Sequence, residues 1–398
     1  MQTPMVGSVL IVLHRVGPYH HARFQAAAAA LQCPLLVLQT RPQSQEYPWS
    51  FVVEGAAYTL LSLEGSQSPE QDPPRSVLRH QLEELLERYQ PSVIVSVGWA
   101  DRSYLQLMRL AQQRSVPLVV VSDSRRQDSA RSPWKEWLKC QLIRGYSAGI
   151  VAGVQSRAYL RQLGMKAEAI QQPWDVVNNQ LFAQLAAEAM TEPALNLYAD
   201  APFLCVGRFI PEKNHALLLQ AFSSYQINGG RRSLLLVGHG PLEHQIRRAC
   251  RQLPRPQAVK MAPFVELEQL ASYYGRSHAL VLASRKDTWA LVVNEAMAAG
   301  LPVIVSDACG CSNDLVRHNI TGWVFKSNDP ENLLKLLHLS DSQSVDNRQS
   351  MIAFAKERVS AFDVDNFALA LQNSCEYALG LGKSSIRSRV IAWALSRF

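Results

Sequence analysis

No stretch of the 398-residue chain holds the roughly 18 consecutive apolar residues of a spanning helix, which excludes an integral helical membrane protein. Charge is also sparse. Charged residues make up 18% of the chain and hydrophobic ones 47%, the reverse of the composition that keeps a segment disordered. The first apolar run, Val9 to Leu13, has no Lys or Arg before it, so it lacks the cationic start of a secretory leader. The seven cysteines show no metal-ligand spacing: five lie in apolar contexts (Cys33, Cys140, Cys205, Cys250, Cys375), and Cys309 and Cys311 have no histidine nearby. Reduced thiols in a cytoplasmic protein, soluble or peripheral to a membrane, are expected. The single Asp-x-Asp, Asp363-Val364-Asp365, follows no apolar strand and reads as a helix cap, so no metal and no other cofactor is expected.

At this length one hydrophobic core stops growing, and two domains are the natural division. Residues 1–185 alternate strands with helices. The strands are Val9–Leu13, Pro34–Gln39, Val93–Val97, Leu118–Val121 and Ala148–Val151, with helical spacing over 21–31, 77–89, 104–113, 134–146 and 156–163. Residues 186–202 carry no strand period, end in Asp200-Ala201-Pro202 and read as a linker. A second alternating series fills 203–362, with strands at 203–206, 233–237, 258–261, 279–282, 302–306 and 323–325. A final helical segment, 363–398, is expected to pack back on the first domain. The fold class is therefore α/β, with two Rossmann-like, doubly wound domains and a ligand cleft at the carboxyl ends of their strands.

Three segments carry chemistry. In Asp287-Thr-Trp-Ala290-Leu291-Val-Val-Asn-Glu295 two acids stand eight residues apart across a loop-to-helix boundary. A helix starting near Trp289 would offer free amides and a positive dipole end to a diphosphate, and Glu295 could accept from ribose hydroxyls. In Val206-Gly207-Arg208-Phe-Ile-Pro-Glu-Lys213 a glycine and two cations follow a strand, and fixed cations aimed at a leaving diphosphate stabilise the charge that grows on it. The third, Val237-Gly238-His-Gly240-Pro241, is a strand ending in glycines, but Glu243 stands where a dinucleotide fingerprint has its last glycine, which disfavours a nicotinamide or flavin enzyme.

Order and spacing over residues 203–330, including Asn294-Glu-Ala-Met-Ala-Ala-Gly300-Leu-Pro302 and Asn319-Ile-Thr-Gly-Trp323, resemble the family-four retaining glycosyltransferases of the GT-B fold. Gly17-Pro-Tyr19-His20-His21-Ala-Arg23-Phe24 resembles the glycine loop after the family's first strand. The resemblance implies two facing domains and a nucleotide diphosphate-sugar donor, with a saccharide or lipid-linked acceptor. It further implies that Arg208 and Lys213 bind the diphosphate, Glu295 the ribose, and Asp287 with the backbone near Gly207, Gly238, Ala290 and Leu291 the donor sugar and phosphates. Gly17 would let the first domain close on the diphosphate. The family transfers with retention, the acceptor attacking the face the diphosphate leaves and a phosphate oxygen taking its proton.

The chain departs from that pattern in three places. Asp287 replaces a Glu, Ala290 replaces a Gly, and the loop after the Leu118 strand reads Ser122-Asp123-Ser124-Arg125-Arg126 where relatives often carry a histidine. Tyr19, His20, His21 and Asp123 are the acceptor-side candidates, and His20 and His21 are expected to compensate for that histidine. The competing functions are a catalytically silent nucleotide-sugar binder and a nucleotide-sugar epimerase. The net charge of +7 suits an anionic ligand or an anionic membrane surface, and no nucleic-acid partner is expected. Arg125, Arg126, Arg131, Lys135, Lys139 and Arg144 surround Trp134 and Trp137, and Arg387, Arg389 and Arg397 lie beside Trp393 and Phe398.

Overall fold

The computed structural model describes residues 7–43, 51–66, 68–99, 101–190 and 201–381, so the basic residues from Arg387 to Arg397 lie outside the described part. The chain divides into two units, one made of residues 1–176 with 364–398 and the other of 177–363.

In the first unit the order is β1 (Val9–Leu13), α1 (Pro18–Ala30), β2 (Leu35–Gln39), β3 (Thr59–Ser62), α2 (Arg75–Tyr89), β4 (Val93–Val97), α3 (Arg102–Gln113), β5 (Leu118–Ser122), α4 (Pro133–Ile143), β6 (Ala148–Val151), α5 (Val154–Gln162) and β7 (Ile170–Gln171). All pairings are parallel, in the order β3-β2-β1-β4-β5-β6-β7. Strands covered on both faces read as unbroken apolar runs, and β1 is buried at all five positions. β3 is an edge strand with its side chains half in water, so it shows no unbroken apolar run in the sequence.

The second unit runs α6 (Asn179–Met190), β8 (Phe203–Val206), α7 (His215–Ile227), β9 (Leu234–Val237), α8 (Glu243–Arg251), β10 (Val259–Ala262), α9 (Leu267–Gly275), β11 (Ala279–Leu282), α10 (Leu291–Ala298), β12 (Val303–Ser306), α11 (Ser312–Leu315), β13 (Trp323–Phe325), α12 (Pro330–Asp341) and α13 (Val345–Ser360). Its sheet is again parallel, ordered β10-β9-β8-β11-β12-β13. The core gathers Phe203, Cys205, Leu236, Val281, Ile304 and Trp323.

The boundary expected at residue 185 is corrected to Val176/Val177, and the first part of the stretch read as patternless is a helix of the second unit. Phe182 and Ala186, one turn apart on α6, are buried, and the Phe182 ring lies 6.2 Å from that of Tyr274 on α9. A Cβ on Gly275 would stand 2.5 Å from the Ala186 carbonyl oxygen, so only glycine lets these helices approach. α14 (Val364–Leu381) belongs to the first unit and packs on α1, with the Phe367 ring 6.5 Å from Phe24 and 5.4 Å from Trp174.

In each sheet the winding reverses direction, between β1 and β4 and between β8 and β11. Loops leaving those two strands diverge to opposite faces and open a crevice at their carboxyl ends, which is where open α/β sheets hold ligands.

Two buried histidines in the second unit couple its stability to pH. His278 is pushed down to about 3 by burial, with Arg232 and Arg348 adding to the effect. His215 is pushed down to about 4 by burial and by Lys213. Below about pH 6.5 the unfolded chain takes up protons that the folded one refuses, so this stabilisation is complete above pH 6.5 and is lost as pH falls toward 4 and then 3, by roughly 2 kcal/mol per histidine at pH 5. Urea midpoints at pH 7.5 and 5.0 measure it: a lower midpoint at pH 5.0 is expected, and an equal or higher one contradicts the assignment.

Candidate functional site

The crevice of the second unit is built from the loops after β8 and β11. β8 ends at Val206 and passes through Gly207 to a single 3-10 turn, Pro211–Lys213, closed by Asn214 with φ +53°. The loop after β9 lies directly against it, since a Cβ on Gly238 would stand 2.1 Å from the Gly207 carbonyl oxygen. Arg285, three residues past β11, ties the two switch-point loops together: its amide donates to Glu212 O at 2.8 Å and its guanidinium to Asn214 Oδ1 at 2.7 Å. Lys213 then reaches back over Gly207 and donates through Nζ to Asp287 Oδ2 at 2.5 Å.

Only 18% of the Lys213 side chain and 12% of that of Asp287 remain exposed. Burial alone would lower the lysine, but the Asp287 charge and hydrogen bond outweigh it and hold the ammonium above its usual range. A fixed cation thus stands at the switch point. Arg208 is half-buried on the same loop, beside Phe209, whose ring packs edge-on against His215 at 5.0 Å.

Asp287 is held from a third loop, the one after β12. Gly310 N donates to Asp287 O and Cys311 N to Trp289 O, each at 3.0 Å, and a Cβ at Gly310 would collide with Thr288 O at 1.7 Å. Trp289 is buried and its Nε1 donates to Asn294 Oδ1 at 2.9 Å. α10 begins at Leu291 rather than near Trp289, because Trp289 is taken up by these contacts and Ala290 turns the chain with φ +85° and ψ +71°. That left-handed conformation costs an alanine about 1 kcal/mol more than a glycine.

Glu295 lies in the second turn of α10 and is 1% exposed. Its Oε2 accepts from the Tyr274 hydroxyl at 2.5 Å, so the carboxylate is positioned from α9. A separate groove of about 700 Å³, lined by Ser312, Arg317, Thr321, Phe354 and Arg358, takes in none of the expected residues.

In the first unit the expected acceptor-side residues have local partners. Gly17 is the buried N-cap of α1, in an extended conformation open to any residue, and its amide donates to His20 Nδ1 at 3.3 Å. Burial and Arg23 push His20 down to about 3, which keeps its ring neutral and able to accept that bond. His21 Nδ1 lies 2.9 Å from the Tyr58 hydroxyl. Both histidines thus have hydrogen-bond partners within the first unit. Tyr19 and Asp123 are half-buried, on α1 and just past β5.

The switch point of this sheet instead gathers four residues that the sequence reading missed. His14 follows β1 and donates from Nε2 to Asp101 Oδ2 at 3.1 Å, in front of α3. Arg41, just past β2, bridges Asp101 Oδ1 at 2.8 Å and Asp72 Oδ1 at 2.9 Å. The His14 hydrogen bond, with Arg41 adding to it against partial burial, holds the Asp101 carboxyl down at about 2. Asp101 thus stays ionised and fixes the imidazole tautomer, while His14 and Asp101 remain 35% and 36% exposed.

Comparison with known proteins identifies the family and the fold. The family model for glycosyl transferases group 1 matches residues 195–358, and that for the glycosyl transferase 4-like domain matches residues 18–172. The chain belongs to the family-four glycosyltransferases of the GT-B fold. Among curated relatives, the amylovoran biosynthesis glycosyltransferase AmsK of Erwinia amylovora is 27% identical over 155 residues, 37% of this chain and 38% of the relative. The serotype-specific mannosyltransferase WbdA of Escherichia coli is 32% identical over 142 residues, 34% of this chain and 17% of the relative. A GDP-mannose-dependent alpha-(1-6)-phosphatidylinositol monomannoside mannosyltransferase of Mycobacterium tuberculosis is 25% identical over 146 residues, 35% of this chain and 38% of the relative. These alignments take in well under two thirds of each relative's length. Solved structures extend the likeness in fold to nearly the whole chain. Sucrose-phosphate synthase from Thermosynechococcus elongatus matches with a TM-score of 0.71 at 20% identity, over 92% of this chain and 97% of that one. Anabaena HepE in complex with UDP and glucose matches with a TM-score of 0.71 at 15% identity, over 93% and 99%.

Two stability measurements probe this arrangement. Ala290→Gly is expected to raise the unfolding free energy by about 1 kcal/mol, against the usual loss on introducing glycine, and a loss would mean that φ is not positive there. Lys213→Ala is expected to cost about 3 kcal/mol, because it strands a largely buried carboxylate, whereas Lys213→Met with Asp287→Leu recovers most of that. Equal losses in the single and double variants would contradict the pair.

Proposed function

We propose that this chain is a retaining glycosyltransferase that moves a sugar from a nucleoside diphosphate donor to a saccharide or lipid-linked acceptor without a metal ion. The observation that carries the reading is the Lys213 ammonium, fixed by Asp287 at the switch point of the second sheet. In transfer, the bond from the anomeric carbon to the diphosphate oxygen breaks and a bond to the acceptor oxygen forms on the same face. The acceptor proton passes to a phosphate oxygen. Negative charge grows on the departing diphosphate, and a preorganised cation there stabilises the transition state more than the ground state. Lys213, with Arg208 on the same loop, supplies what a metal ion supplies elsewhere.

Asp287 faces the sugar in this reading, and its bond to Lys213 couples recognition of sugar and phosphate. Gly207 and Gly238 let the backbone approach the phosphates, and Ala290 with Leu291 opens α10 toward them. Glu295, positioned by Tyr274, accepts from the ribose. On the acceptor side we assign His14, oriented by Asp101, rather than His20 or His21, because the latter two are engaged in holding α1. The name of the phosphatidylinositol monomannoside mannosyltransferase relative supports a lipid-linked glycan as acceptor. Seven free cysteines support a cytoplasmic setting.

Release of nucleoside diphosphate from a panel of nucleotide sugars, with and without glycan and lipid-linked acceptors, tests the proposal. Lys213→Ala and Glu295→Ala are each expected to cut transfer by about tenfold or more, and His14→Ala to act mainly on acceptor KM. The anomeric configuration of the product should match that of the donor, and chelator should leave the rate unchanged. Near-normal rates in both donor-site variants would remove the site assignment. Loss in chelator with recovery on Mg²⁺ or Mn²⁺ would overturn metal independence, and conversion of donor without any acceptor would point to an epimerase.

A further inference from the structure

Six cations fall between Arg125 and Arg144, and the sequence presents them as one basic face. The structure divides them into two groups. Arg125 is buried and pairs with Asp128 at 2.9 Å. Lys139 donates to Glu136 at 2.9 Å and to the Tyr159 hydroxyl at 3.1 Å, and Arg131 donates to the same hydroxyl at 3.0 Å with its guanidinium over the Tyr159 ring. These three are spent on internal contacts, and the correction to a single basic face follows from Glu136, Asp128 and Tyr159.

The tryptophans do the opposite. Trp134 and Trp137, about one turn apart on α4, are 64% and 60% exposed, whereas Trp99, Trp174, Trp289 and Trp323 are buried or half-buried. Lys135 is exposed beside Trp134, its Nζ 5.5 Å from the centre of that ring, and Arg144 is exposed as well, whereas Arg126 is exposed but donates to Gln162 of α5 at 3.3 Å. The only acid on α4, Glu136, is turned to Lys139 and Tyr159. Single exposed apolar side chains need no explanation, but two indoles and a lysine along one helix, with the carboxylate drawn away, form an organised face.

The charge selects its occupant. Indoles favour the headgroup level of a bilayer, where the ring is covered and the N–H stays wet, and each nearby cation gains from anionic lipid. We propose that the outer face of α4, made of Trp134, Lys135 and Trp137 with Arg144 two turns beyond Trp137, docks the first unit on an anionic lipid surface. This surface stands independently of the donor site, and for an enzyme with a lipid-linked acceptor it would bring the first unit to its substrate.

The test is sedimentation of the full chain with phosphatidylcholine vesicles and with phosphatidylcholine vesicles containing phosphatidylglycerol, at low and high salt. Binding is expected on the anionic vesicles alone and should weaken with salt. Trp134→Ala with Trp137→Ala, and separately Lys135→Glu with Arg144→Glu, should each reduce the bound fraction by about tenfold or more. Both variants should keep the wild-type melting temperature and the wild-type rate with a water-soluble acceptor, so that failure of the docking surface is distinguished from failure of the transferase reading. Equal binding to neutral and anionic vesicles, or wild-type binding by either variant, overturns the proposal. So does a shift from dimer to monomer in the tryptophan variant by analytical ultracentrifugation, which would give the face to a second copy of the chain.

Discussion

A lysine ammonium and an aspartate carboxylate, 2.5 Å apart and largely out of water, join two loops that leave neighbouring strands of one parallel sheet. Pairing them this way constrains much around them. Lys213 needs the 3-10 turn and the left-handed Asn214 to reach Asp287, and Asp287 needs the glycine contact from the loop after β12 to stay in place. A largely buried pair of this kind gains little for stability over an apolar pair of similar volume. In the function proposed above, the pair is kept because it fixes a cation where the departing diphosphate gains charge.

The same topology repeats in the first unit with different chemistry. There the switch point carries an imidazole oriented by an ionised carboxylate, itself anchored through Arg41 to a second one. One sheet thus presents a cation and the other an imidazole beside a carboxylate. That contrast matches a division between binding an anion and binding hydroxyl groups. Ala290 adds a local feature of its own: the family's usual glycine is replaced, yet the left-handed backbone is kept, so the chain carries strain where the loop enters α10.

Much of this was legible in the sequence because parallel strands buried on both faces are unbroken apolar runs, and β1, β6, β8, β11 and β13 match their expected bounds. β3 escaped because an edge strand keeps its side chains half in water, and α6 escaped because its signal is the helical pair Phe182 and Ala186 in an alanine-rich stretch. Lys213 and Asp287 were named from spacing, but their bond joins residues 74 apart in sequence and no local pattern announces it. His14 and Asp101 are 87 apart, and each alone reads as an ordinary polar residue at a strand end. The histidine pair after Gly17 stands out by its composition, while its bonds to the Gly17 amide and to Tyr58 are not announced by any local pattern.

The central claim, that a protein cation and not a metal ion holds the diphosphate, is most directly tested by calorimetric titration of the full chain with uridine and guanosine diphosphates in the presence of chelator. Binding of one of them without added metal is predicted, with an affinity that falls by about tenfold or more in Lys213→Met. Unchanged affinity in that variant, or binding that needs added Mg²⁺, would contradict the account.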